Sequence, residues 1–332
     1  GAMSLWTLND ISNSNQRVHE TAVPVVSEVN KVQIRLLKLA NLSALGFNAL
    51  SEEDIRPYRD DFEKGAEEFA VGFKKLETLA QADPQRAALV ADIKSNYDTY
   101  TVAVRKMFDA KLAVLIAKQQ VEDEVGVVME RSDDVGFAFL EIVNFRAPSK
   151  ALEKDLTLAQ GFANQADALM AGVAKAAQEI QNGEDLERLD SAQDDFEFII
   201  NGAMFWFDKA IPLFQPMDDA DIIGTAQSSV EALRARLKAT PNLVDFKREQ
   251  LTQAQTAREQ LSESKSAVAK SVAGLDEVLV SADAQFNRLQ TELGDSVSFG
   301  FKSTIVILII LLALATENFN SMRLAIRKKM ID

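Results

Sequence analysis

Apolar side chains spaced by alternating steps of three and four residues run almost unbroken along both ends of this chain. Near the N-terminus the seam passes Leu8, Ile11, Val18, Val25, Val29, Val32, Leu36 and Leu39, and continues through Ser43 and Gly46 to Leu50. Near the C-terminus it passes Leu251, Ala254, Arg258, Leu261, Lys265, Val268, Val272, Leu275, Leu279 and Ala282, and continues to Leu293. That spacing returns one stripe to one side of an α-helix and buries it against a neighbouring helix. No strand-period alternation of useful length competes with it. The expected fold class is all-α.

Turn residues cut the chain into six pieces. The first runs from Leu5 to Ala49, bent but not ended by Pro24. Ser51 and Asp54 form a capping box that starts a second helix, ending near Ala80. Asp83-Pro84 is an N-cap followed by proline at the first helical position, opening a third helix that Ala147-Pro148 stops. A fourth runs from Ser149 to Gln181 and ends at Asn182-Gly183, a left-handed C-terminal signal. A fifth starts near Glu184, is broken at Pro212 and Pro216, and continues to Ala239. Thr240-Pro241-Asn242 separates it from the last.

At ~1.5 Å per residue the third helix is roughly 95 Å long and the last roughly 90 Å, while the second and fourth are about half that. Two long helices and shorter partners imply two stacked four-helix bundles sharing two long helices, followed by a transmembrane helix. The lower bundle is expected over about 4-112 and 260-302, the upper over about 113-259. Residues 1-3 read as an expression scar.

Ser303–Thr316 reads STIVILIILLALAT without a charge, and Arg323, Arg327, Lys328 and Lys329 follow it. An apolar run flanked by cations is the pattern of a span whose far side is cytoplasmic. Fourteen residues is short of the ~20 a full span wants, and a docked C-terminal helix is the competing reading. With a span at 303-316, residues 4-302 lie outside the cytoplasm, 317-332 form a cytoplasmic juxtamembrane segment, and an earlier span is expected before Ser4.

Charge and composition narrow the function. The net charge is -14, with no basic stripe outside the last ten residues, which argues against nucleic acid. The chain has no cysteine, so disulfides and thiol catalysis are excluded. His19 is the only histidine, and no Ser-His-Asp set, phosphate loop or metal motif is present. Neither enzyme activity, a cofactor nor a metal is expected. Pairs such as Asp133-Asp134 and Asp194-Asp195 read as solvated faces.

With its helix lengths and flanking apolar segment, the opening LNDISNSNQRVHETAVPVVSEVNKVQIRLLKLANLSAL, including Val23-Pro24, resembles the first helix of helical bimodular periplasmic sensor domains. These belong to bacterial methyl-accepting chemotaxis receptors and related transmembrane sensors, and the resemblance covers Ser4 to Lys302. It implies a homodimer in the bacterial inner membrane, with its sensor region in the periplasm. It further implies a small-molecule ligand, with an organic acid favoured, and signalling by displacement of the last helix. The alternative is a membrane-anchored rod that mediates protein contacts.

Two features suggest ligand sites. One is a concentration of aromatics: Phe137, Phe139 and Phe145, then Phe196, Phe198, Phe205, Trp206, Phe207 and Phe214. They are either core packing or an aromatic-lined pocket, with Arg146 and Lys209 near enough in sequence to meet a carboxylate. The other is a set of cations on seam positions. Lys111, Lys118, Arg258 and Lys265 fall at a shared estimated height of roughly 55–70 Å. Buried cations need compensation, either by acidic neighbours in a structural layer or by a bound anion.

Overall fold

The computed structural model describes residues 23–217 and 221–293, with side chains as far as Phe286. Seven α-helices occupy these residues: α1 (Val23–Phe47), α2 (Glu52–Ala80), α3 (Pro84–Asn144), α4 (Glu153–Asn182), α5 (Leu186–Phe214), α6 (Ile222–Lys238) and α7 (Leu243–Leu293). No strand occurs among them. No helix in this range is long and apolar enough to cross a membrane. Ser303–Thr316, His19 and the seam before Val23 lie outside the described residues.

The caps expected from sequence form. Ser51 Oγ accepts from Asp54 N at 3.1 Å, and Asp83 Oδ1 accepts from Gln85 N at 2.9 Å and Arg86 N at 3.3 Å. Each satisfies backbone donors that the first helical turn leaves open. Gly183 departs from expectation. Its φ is -55, not left-handed. The reason is a substitute partner: the Lys247 ammonium donates to Gln181 O at 2.7 Å and satisfies a carbonyl at the end of α4.

Two hydrophobic cores form. The first gathers α1, α2, the lower half of α3 and the far half of α7 around Phe62, Phe69, Phe73, Tyr100 and Phe108. Its rings interlock, with Phe69 stacked on Tyr97 at 3.9 Å and Phe62 edge-on to Phe108 at 5.7 Å. The second gathers the upper half of α3 with α4, α5, α6 and the first residues of α7. Phe139 against Phe207 at 4.9 Å and Phe145 against Phe214 at 4.8 Å anchor it. Burying each such ring contributes roughly 1.5–3 kcal/mol.

The fifth segment differs from its sequence reading. It is two helices of opposite direction. α5 passes through Pro212 and ends in a 3-10 turn at Gln215–Met217. Asp221 then takes a left-handed conformation, φ 54, and α6 descends. The descent is visible in Arg236, at the foot of α6, reaching Glu124 in the middle of α3. α7 therefore starts at the lower end of the second core, and α6 fills the place beside α3 that the last helix was expected to occupy.

Between the cores α3 and α7 continue as a neck. Its buried positions are small: Ala110 and Ala117 on α3, Ala257 and Ser264 on α7. Small side chains let two helices approach closely where few others surround them.

Candidate functional site

The neck is where the cation layer was expected, and the four cations do not assemble there. Arg258, Lys265 and Lys118 are exposed. Lys118 lies 3.7 Å from Glu122 of its own helix, and Arg258 and Lys265 have no ion pair among the described residues. The seam of α7 runs one residue away, through Ala257, Ser264, Ala267 and Ser271 before rejoining at Leu275. The seam of α3 likewise passes Ala110 and Ala117 instead of Lys111 and Lys118. Of the four, Lys111 alone is half-buried. Its ammonium sits 5.8 Å from the Phe47 ring centroid, and burial, then the charge of Lys118, lowers its pKa. A cation–π contact of ~0.5–1 kcal/mol offsets part of that cost.

The aromatic set divides. Phe139, Phe196, Phe207 and Phe214 are core. Phe137, Phe198 and Phe205 point outward, 68%, 74% and 52% exposed. Trp206 is half-buried, stacked on Phe162 at 5.6 Å, and Lys209 lies 5.5 Å over the Phe205 ring. Arg146 is exposed just past the end of α3. Neither Arg146 nor Trp206 lines any of the three clefts described below.

The structure instead places a cleft of about 460 Å³ where α6 ends and α7 begins, within the ~300–1,000 Å³ of small-molecule sites. Because α6 stops at Lys238, a gap opens below it between α3 and α5. Val128, Phe196, Ile200 and Leu243 supply apolar wall. Glu124 supplies the buried charge, at 4% exposure of its side chain. Arg236 meets it with two parallel hydrogen bonds: Nε donates to Glu124 Oε1 at 2.6 Å and Nη2 donates to Oε2. A bidentate guanidinium–carboxylate pair is the geometry in which burying both charges costs least. Three cations, Arg234, Arg236 and Lys238, line the cleft against two carboxylates, Glu124 and Glu197. Arg234 lies 3.9 Å from Asp208, while Lys238 and Asn201 have no hydrogen-bond or ion-pair partner among the described residues.

The cleft is tied directly to α7. Asn242 Oδ1 accepts from Val244 N at 3.0 Å and Asp245 N at 3.1 Å, and Asn242 N in turn donates to Asp245 Oδ2 at 3.1 Å. Asn242 Nδ2 also donates to Leu237 O at 3.3 Å, joining the end of α6 to the start of α7. Sequence reasoning missed this site. Glu124 and Arg236 are 112 residues apart, and the available signal was Arg-x-Arg-x-Lys closing a helix before a proline turn. Two other depressions, about 570 and 530 Å³, lie along the outer α3–α7 face. They are open troughs whose lining includes Ser95, Thr99 and Ser266, with no buried charge. Among the described residues no group of three His, Cys, Asp or Glu side chains could hold a metal ion.

No family model matches the chain, and no curated protein matches its sequence. Solved structures do. The TorS sensor domain in complex with TorT, crystallised in the presence of TMAO, superposes with a TM-score of 0.61 over 78% of this chain and 99% of that one, at 10% identity. The sensor domain of the V. parahaemolyticus histidine kinase sensor TorS gives 0.60 over 79% and 100%, also at 10% identity. The helical architecture is thus that of these sensor domains, and at this identity the likeness is one of fold.

Proposed function

We propose that this chain is the ligand-binding sensor region of a transmembrane receptor, facing the periplasm. In this reading it detects a small extracellular molecule, most favourably an organic acid, and passes a displacement of α7 across the inner membrane. The observation that carries the reading is Arg236. A guanidinium held on the wall of a cleft, at the junction where α7 begins, is suited to bind a carboxylate and to feel its presence in α7. A ligand shifts such a helix only by its differential affinity for two arrangements. The fold of the TorS sensor domains supports the sensor class. The output is of the chemotaxis type or, as in the V. parahaemolyticus neighbour, that of a histidine kinase. The proposed division is a lower bundle around the Phe62–Phe108 core and an upper bundle around the Phe139–Phe207 core.

A thermal-shift screen of the full chain with organic acids, amines, amino acids and fatty acids tests the reading, because a ligand of the folded state raises its melting point. An organic acid that stabilises the protein saturably, and less so after Arg236→Ala relative to that variant's own baseline, is the expected result. Silence across the acids sinks it. A second reading is favoured by Phe198 and Phe205, which stand exposed on the outer face of α5. There the chain receives its signal through a protein partner. Substituting both by Ser separates the two, since the small-molecule response survives that change.

A further inference from the structure

Arg236 offers a carboxylate more than a bare positive charge. A guanidinium has five N–H donors along two usable edges. Glu124 occupies the Nε/Nη2 edge, and Nη1 has no hydrogen-bond partner among the described residues. Arg236 is one-third exposed, Glu124 is 4% exposed, and both line the cleft, so the Nη1/Nη2 edge is the one left for a ligand. Glu124 thus acts as a positioning residue, fixing the plane of the guanidinium.

The rest of the cleft selects what reaches that edge. Asn242 is committed to capping α7 and Gln193 bridges Glu197 and Arg248, which leaves Asn201 and the exposed Lys238 as further polar groups at the rim. With three cations against two carboxylates the lining has one positive charge in excess. One anionic group neutralises it, and a second gives the lining a net negative charge. Val128, Phe196, Ile200 and Leu243 form an apolar wall, with Asn201 beside them. The geometry points to a monocarboxylate with a compact apolar or aromatic body as the ligand, its carboxylate on the open Nη1/Nη2 edge of Arg236. This refines the organic-acid reading and rests on it. It opposes a polar di-acid, whose second carboxylate makes the lining net negative and whose polar body meets apolar side chains.

The experiment is calorimetric titration of the full chain in detergent with benzoate, benzamide and succinate, on the wild type and on Arg236→Lys. Lysine still meets Glu124 as a point charge but has no second edge. The expected result is saturable benzoate binding, with benzamide and succinate at least tenfold weaker. Arg236→Lys is expected to weaken benzoate at least tenfold while its unliganded melting point stays within about 5 °C of wild type. The benzoate–benzamide contrast on the wild type stands even if the variant folds poorly. Benzamide equal to benzoate, or a folded Arg236→Lys that binds benzoate unchanged, overturns the assignment. Succinate binding with benzoate silent overturns it too, and leaves the organic-acid reading standing. Silence of both acids overturns this inference along with the proposed site.

Discussion

Asn242→Ala breaks the joint between α6 and α7 at a single side chain. The asparagine oxygen caps two amides of the first turn of α7, at 3.0 and 3.1 Å. Loss of such an N-cap costs typically ~1 and up to ~2 kcal/mol. The same side chain donates to Leu237 O, and losing that bond adds about 0.5–1.5 kcal/mol. Together the variant should lose about 2–3 kcal/mol, which at roughly 2–4 °C per kcal/mol lowers the melting point by about 4–12 °C. Asn242→Asp keeps the capping oxygen and loses only the donor, so it should cost about 1 kcal/mol. Both are measured by urea unfolding followed by circular dichroism. An alanine variant within 0.5 kcal/mol of wild type, or an aspartate variant as damaged as the alanine one, would show that this side chain does not hold α7 in place.

Two glycines on long helices should respond in opposite directions. A Cβ on Gly46 would overlap the ring of Phe108, so Gly46→Ala should destabilise the lower core by about 1–3 kcal/mol. Gly126 has open space around it, so Gly126→Ala should stabilise by about 0.5–1 kcal/mol through helix propensity. Chemical denaturation of the pair checks both signs. Burial raises the pKa of Asp276, against the opposing hydrogen bond from Gln33. A raised folded-state pKa is a stability contribution present at low pH and lost as pH rises through the folded value. Asp276→Asn keeps an acceptor for Gln33 Nε2, which donates at 3.2 Å, and removes the desolvated charge. It should gain up to about 0.5 kcal/mol at pH 7, after solvent screening, and nothing at pH 3. A urea-midpoint series across pH would reveal the opposite slope if the carboxylate were favourable.

Local signals in the chain were read well. Ser51 and Asp83 cap the helices they were expected to cap, because a capping oxygen needs only neighbours two or three residues away. The α1 seam from Val25 to Leu39 is buried as spaced. The α7 seam was misread by one residue because hydrophobicity was weighed and size was not. At the neck the closest packing falls to Ala257 and Ser264, which leaves Arg258 and Lys265 outside. The reversal between α5 and α6 was read as one interrupted helix, since Pro212 and Pro216 mark a break without giving its direction. The cleft was illegible for another reason. Glu124 and Arg236 meet only after α6 folds back along α3, and neither residue belongs to a local motif.

Hydrogen exchange of the full chain with and without a binding carboxylate tests the central claim most directly. If the cleft is the sensing site and α7 its output, slowed exchange should concentrate at the end of α6, the Asn242 turn and the first turns of α7. α1 and α2 should exchange as before. Protection confined to the lower core, or spread evenly over both cores, would contradict the account.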